Sequence, residues 1–129
     1  MDYILREIEK MGRMIEAILT KIGLLKNSGN RESIYQVTKV ELLEKMDLNI
    51  DTLLEKDNLV DILTKEYGFD NNSLEKFAEL LFDLAEASED KVVIGRLAAG
   101  IGAIFGQLEK FGTYSLKTHY ILKELEKQM

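Results

Sequence analysis

Residues 91–106 constrain the fold more than any other stretch, because they carry two stripes of residues at α-helical spacing. Small residues recur on one face and bulky apolar residues on another, so neighbours are expected on both sides of this helix. A glycine inside a helix costs ~1 kcal/mol relative to alanine, and several on one face predict a second backbone packed closely against them. The sequence predicts that this is the most buried helix. The close packing is predicted at Gly95, Ala99, Gly102 and Gly106.

The composition favours a single all-helical domain. The chain has 129 residues, of which 46% are hydrophobic, and this is the length and apolar content of one folded domain. It contains no proline, the residue that most strongly breaks helices. We therefore expect residues 1–129 to form one compact all-α domain.

The charge and the lack of cysteine exclude several kinds of site. A net charge of −6 does not attract phosphate backbones or anionic membranes, so we expect no nucleic-acid partner and no membrane partner. The longest uncharged apolar stretch, residues 97–108, is far shorter than the ~20 residues that span a bilayer. Without cysteine, disulfides and thiolate metal sites are excluded, which is compatible with the cytoplasmic location that we expect.

The hydrophobic periodicity predicts a compact array of about six helices joined by short connections. Gly68 suits the left-handed position after a helix, while Asp57, Asn72 and Asp51 are predicted to cap helix starts. The predicted helices cover residues 2–26, 31–46, 57–67 and 91–111, with a fourth helix that starts at 72 or 73 and ends at 87, a last one that starts at 113 or 115 and runs to 129, and a short helical turn at 51–54.

The first predicted helix carries a long apolar seam. From Ile4 to Leu25 its apolar residues follow steps of four and three, which is the repeat of a coiled coil. Leu5, Met14 and Leu19 widen the seam, which favours packing against several helices of the same chain. The alternative is a symmetric homodimer that covers the seam.

Sequence patterns that begin like metal or cofactor sites are incomplete. The stretch Asp47–Asp51 starts like a calcium loop, but Thr52 and Asn58 replace the glycine and the glutamate that such a loop requires. His119 is the only histidine, and no second histidine completes a metal set. We therefore predict no metal, no cofactor and no catalytic residue.

Arg96 is the one charged residue between Val92 and Leu108. A buried charge needs a partner. One interpretation is that Arg96 lies at the edge of its helix, with its aliphatic stem buried and its guanidinium in water. The alternative is that its guanidinium anchors a partner carboxylate or a ligand anion.

The chain also resembles an uncharacterised family of small all-helical bacterial proteins, a domain of unknown function. The resemblance rests on the opening motif D-Y-I-L-R-x-I-E-x-x-G-R-M at residues 2–14 and on leucine-rich motifs at 48–54, 59–63 and 80–86. It implies a helical fold with a tetratricopeptide-like hairpin in the C-terminal half. It implies no known activity.

These observations favour a non-enzymatic module that binds another protein or a second copy of itself. No nucleophile–base pair and no set of metal ligands is visible. The alternative is a regulatory domain that binds a small molecule in a pocket beside the glycine-rich helix, close to Arg96.

Overall fold

The computed structural model describes the backbone of residues 2–110, 120–121, 123–125 and 127, and their side chains from Glu9 onward. This part of the chain is all-α and contains no strand, as predicted. Its helices are α1 Asp2–Asn27, a 3₁₀ turn Arg31–Ser33, α2 Ile34–Met46, α3 Ile50–Leu54, α4 Leu59–Asp61 continued by a π-helix Ile62–Glu66, α5 Asn71–Ala87 and α6 Lys91–Lys110.

The first five predicted helices therefore correspond closely to α1, α2, α4 with its π-helix, α5 and α6. The sixth predicted helix falls largely outside the described residues. Its described part, from Tyr120 onward, is helical, and both Ile121 and Leu125 are buried.

The centre of the core is α5. Nine of its 17 residues are buried, and it packs against α6, α1 and α2. Together with α6 it forms a helical hairpin. Salt bridges join Glu16 to Lys76 at 3.3 Å and Lys26 to Asp83 at 2.8 Å, so α1 runs parallel to α5.

The prediction that the glycine-rich helix is the most buried one is wrong. In α6 six of 20 residues are buried, all on the side that carries the bulky residues. Gly95, Ala99, Gly102 and Gly106 are exposed, and a Cβ atom built on any of the three glycines would meet nothing within 4 Å. Among the described residues, the close packing predicted at these four positions is therefore not formed.

The close approach in α6 occurs instead at Gly100. A Cβ atom built there would lie 3.4 Å from the side chains of both Leu59 and Leu81, and 3.5 Å from Leu54. Gly100 lies on the flank of the helix, outside the stripe of small residues, so the stripe did not indicate it.

The middle of the α1 seam is covered within the chain. Ile15, Ile18 and Ile22 are at most 1% exposed, and α1 packs against α5 and α2. The side chains of Ile4 and Ile8 lie outside the described residues. The homodimer stays a prediction.

In α2 the inward face differs from the one that the hydrophobic pattern of residues 31–46 predicts, which consists of Ile34, Val37, Val40 or Leu43, and Met46. The buried residues Ile34, Thr38, Leu42 and Met46 follow each other at steps of four. Val40 and Leu43, considered for the inner face, are 42% and 48% exposed. Thr38 is polar, so the hydrophobic pattern did not include it in the inner stripe.

Several helix ends follow ordinary capping chemistry. Gly68 has φ +70°, as predicted, and lets Phe69 turn back and donate its N–H to the Leu63 carbonyl at 3.0 Å. The α5 cap is Asp70 rather than Asn72, since the Asp70 carboxylate accepts the Ser73 N–H at 2.8 Å. The α3 cap is Asn49 rather than Asp51.

Substituting two glycines of α6 with leucine tests which side of the helix is packed. Gly102→Leu adds a better helix former where no described residue lies within 4 Å, so we expect the melting temperature to stay the same or rise by roughly 2–5 °C. Gly100→Leu forces a side chain against Leu59 and Leu81 and should cost about 1–3 kcal/mol. Thermal unfolding of both variants measures the difference. A larger loss at Gly102 than at Gly100 would contradict this orientation of α6.

Candidate functional site beside Arg96

Arg96 lies on α6 and shares a cleft with residues of α2 and α3. It is exposed and borders a cleft of about 260 Å³ with apolar walls from Leu54 and Val93 and polar walls from Tyr35, Asp51 and Glu55. No hydrogen bond or ion pair joins Arg96 to any other described residue. Its guanidinium is thus available to a group from outside the chain.

Asp51 is the hub of the polar side of this cleft. One carboxylate oxygen accepts the Tyr35 hydroxyl at 2.7 Å, and the other pairs with the Lys39 ammonium. The carboxylate is free for this role because Asn49 caps α3 in its place. These contacts join α2 to α3 and hold the ring of Tyr35 in the cleft wall.

The electrostatics of the cleft favour a charged Asp51 and a neutral Tyr35. Hydrogen bonds from Lys39 first, and from Tyr35 second, lower the pKa of Asp51, and the nearby charge of Arg96 acts in the same direction. Burial first, then the hydrogen bond to Asp51, raises the pKa of Tyr35, while Arg96 opposes that rise. Tyr35 therefore stays a hydrogen-bond donor at neutral pH.

This arrangement suits recognition of an anionic group. Lys39 offsets the charge of Asp51, so Arg96 is the cation that remains available on this side of the described chain. A guanidinium binds carboxylate and phosphate oxygens with two parallel hydrogen bonds. The apolar walls add contact area for the rest of the bound group.

Arg96 also belongs to a second feature, the α6 outer face. We use this name for the exposed side of α6 beyond the cleft. It is lined by small residues, begins with Val92, which is 64% exposed, and ends with Glu109. Its members are Val92, Gly95, Arg96, Ala99, Gly102, Ala103, Gly106 and Glu109.

By length and composition alone, α6 could cross a membrane. Its mean hydropathy reaches 1.4, and 33% of the apolar window is buried within the protein. The uncharged apolar stretch at residues 97–108 is shorter than α6 because Arg96 lies directly before it. Core helices of soluble proteins pass the same test, and here Leu97, Ile101 and Leu108 are buried in the core.

Metal ligands are not brought together in the described part of the chain. No group of three or more His, Asp or Glu side chains there could hold a metal ion. His119 lies outside the described residues. The absence of metal and cofactor stays a prediction.

Sequence reasoning singled out Arg96 but missed Tyr35 and Lys39, and it assigned Asp51 to a cap. Tyr35 and Lys39 are four residues apart, about one helical turn, so both side chains lie on one face of α2 and both reach Asp51. This spacing was the signal in the sequence that could have indicated them. The partner carboxylate lies on another helix, which the spacing does not reveal.

No family model, no curated protein and no solved structure matches the chain. The sequence and the structure describe a small, all-helical protein. Its function has to be argued from its own surfaces.

The Asp51 hub makes stability dependent on pH. A carboxylate whose pKa is lower in the folded state stabilises the fold above its unfolded pKa of about 3.9, and this contribution is lost as the pH falls through the folded value. We expect Asp51→Asn to lose roughly 0.5–1 kcal/mol at pH 7, an amount discounted because the side chain is partly exposed. The difference from wild type should shrink as the pH is lowered from about 5 to 3.

Thermal melts at several pH values measure this difference. Asp57→Asn is the matched control, because Asp57 is exposed and has no ion pair among the described residues. An Asp51→Asn variant as stable as wild type at pH 7 would show that the hub does not hold α2 to α3.

Proposed function

We propose that the protein is a helical interaction module, working in the cytoplasm, that docks a helix of another protein on the α6 outer face. The observation that carries the proposal is the set of glycines inside α6 that no described neighbour explains. Each costs the helix ~1 kcal/mol relative to alanine. Gly100 has a packing reason within the chain, whereas Gly95, Gly102 and Gly106 meet no described residue.

A surface of small residues lets another backbone come close, which maximises contact along a helix. Val92 supplies exposed apolar area at one end of the α6 outer face. Arg96 and Glu109 place opposite charges towards its two ends, and neither has an ion pair among the described residues. The partner helix is therefore apolar in its middle, with a carboxylate that meets Arg96 and a basic residue that meets Glu109.

The α5–α6 hairpin provides the rigid support for this surface. Leu81 of α5 packs against α6 at Gly100, and the buried side of α6 is fixed in the core. We extend this proposal to a tetratricopeptide-like role for the α5–α6 hairpin, because tetratricopeptide hairpins present helix faces to peptide partners.

The second candidate function is a domain that binds a small anionic molecule beside Arg96. The cleft of about 260 Å³ between Leu54, Val93 and Arg96 favours it. It is small for a drug-sized ligand, since typical ligand pockets are about 300–1,000 Å³. The two functions differ in the surface used, because a ligand in the cleft leaves Gly102 and Gly106 uncovered.

Site-specific photo-crosslinking tests the docking surface. A photoreactive side chain at Ala103, in the middle of the α6 outer face, should give one discrete adduct with another protein in a lysate of the source organism. The same side chain at Gln36, exposed on α2, is the control and should not give that adduct. Adding Ala99→Lys should abolish the adduct, because a long charged side chain blocks the close approach.

The outcomes separate the alternatives. An adduct of twice the chain mass identifies a second copy as the partner and contradicts docking of another protein. Equal labelling from Ala103 and Gln36, or an adduct that survives Ala99→Lys, overturns the α6 outer face as the docking surface. Loss of a small ligand on Arg96→Gln, without any adduct at Ala103, favours the second function.

A further inference from the structure

The cleft beside Arg96 carries charges of both signs. Asp51 in α3 and Glu55, which ends α3 with helical backbone angles, are four residues apart and lie on one face of that helix. On the α6 side the cleft is lined by Val93 and, one turn later, Arg96. Since α3 packs against α6, an acidic side and a basic side border the same cleft. A simple anion would satisfy only the basic side.

One charge on each side has no counter-charge within the described chain. Lys39 pairs with Asp51, but the Glu55 carboxylate makes no hydrogen bond or ion pair with any described residue. The guanidinium of Arg96 likewise makes none. Hydrogen bonds from Lys39 and then from Tyr35 lower the pKa of Asp51. The charge of Arg96 adds to their effect, so the guanidinium lies near the acidic side without pairing with it.

The size and the walls of the cleft suit one small apolar molecule. Its volume is about 260 Å³, below the roughly 300–1,000 Å³ of pockets for drug-sized ligands. Leu54 and Val93 supply apolar walls. The Tyr35 hydroxyl donates to Asp51 at 2.7 Å, which fixes the tyrosine ring in the wall before a ligand arrives. A wall that is already ordered reduces the entropy that binding costs.

We propose that this cleft binds a free apolar α-amino acid of the leucine type. Its carboxylate pairs with the Arg96 guanidinium, which binds both carboxylate oxygens, and its ammonium pairs with the Glu55 carboxylate. Its side chain packs on Leu54 and Val93. Because the cleft is open to solvent, we expect a dissociation constant at about the millimolar level. The proposal rests on the second candidate function, which it refines from an anion to a zwitterion, and is tested apart from docking on the α6 outer face.

Ligands that differ in one charge test this site in the full chain. The isotope-labelled protein is titrated at constant pH and ionic strength with L-leucine, with N-acetyl-L-leucine, which lacks the ammonium, and with L-leucinamide, which lacks the carboxylate. Amide shifts of Glu55, Val93 and Arg96 are followed by NMR. We expect saturable shifts with leucine and roughly tenfold weaker binding of both analogues, because each loses a hydrogen-bonded charge pair. Glycine, which keeps both charges without the side chain, should bind several-fold more weakly than leucine.

Neutral variants assign each end of the ligand to its partner. Glu55→Gln should remove the preference for leucine over N-acetyl-leucine, and Arg96→Gln should remove the preference for leucine over leucinamide. Glu44→Gln and Arg13→Gln, which remove one charge of each sign elsewhere, are the matched controls and should leave both preferences unchanged. All four residues are exposed, so the variants are expected to keep the fold.

The possible results separate this proposal from the one on which it rests. If N-acetyl-leucine binds as tightly as leucine, the zwitterion is wrong and an anion-binding cleft remains. If neither of them gives saturable shifts, the second candidate function fails as well. If leucinamide binds as tightly as leucine, Arg96 is not the carboxylate partner and the assignment is overturned. Preferences that survive Glu55→Gln and Arg96→Gln, or that are lost equally in the controls, overturn the cleft as the site.

Discussion

Burial of α5 is the interaction on which the rest of the fold depends. Phe77, at its middle, is fully buried and meets Phe69 edge-to-face with ring centres 5.5 Å apart. Burying one such side chain stabilises a fold by about 1.5–3 kcal/mol, and α5 buries several. Both α1 and α6 pack mainly on this helix and would lose their main contact without it, whereas α2 packs on α1 more than on α5.

How much of the fold can be predicted depends on whether a helix has one apolar face or two candidate faces. In α5 the sequence shows a single apolar stripe, and all of its residues are buried because this one stripe faces one core: Leu74, Phe77, Ala78, Leu81, Phe82 and Ala85. In α6 two stripes compete, and periodicity does not tell which of them the core takes. The bulky stripe prevails because it removes more apolar area from water, which leaves the glycines outside.

The candidate site beside Arg96 could likewise be predicted only in part from the sequence. Arg96 is visible in the sequence because it is a lone charge in an apolar run. Its surroundings are not visible, because Tyr35 and Asp51 come from separate helices that meet only in the folded chain.

The parallel arrangement of α1 and α5 has a consequence for the order of folding. The contacts of Glu16 with Lys76 and of Lys26 with Asp83 close loops of roughly sixty residues, which cost more chain entropy than short ones. The α5–α6 hairpin closes over only a few residues and can assemble locally. During synthesis α1 emerges well before α5, so the part of its apolar seam that α5 covers stays exposed until α5 has been made, even though α2 is already available to pack on α1.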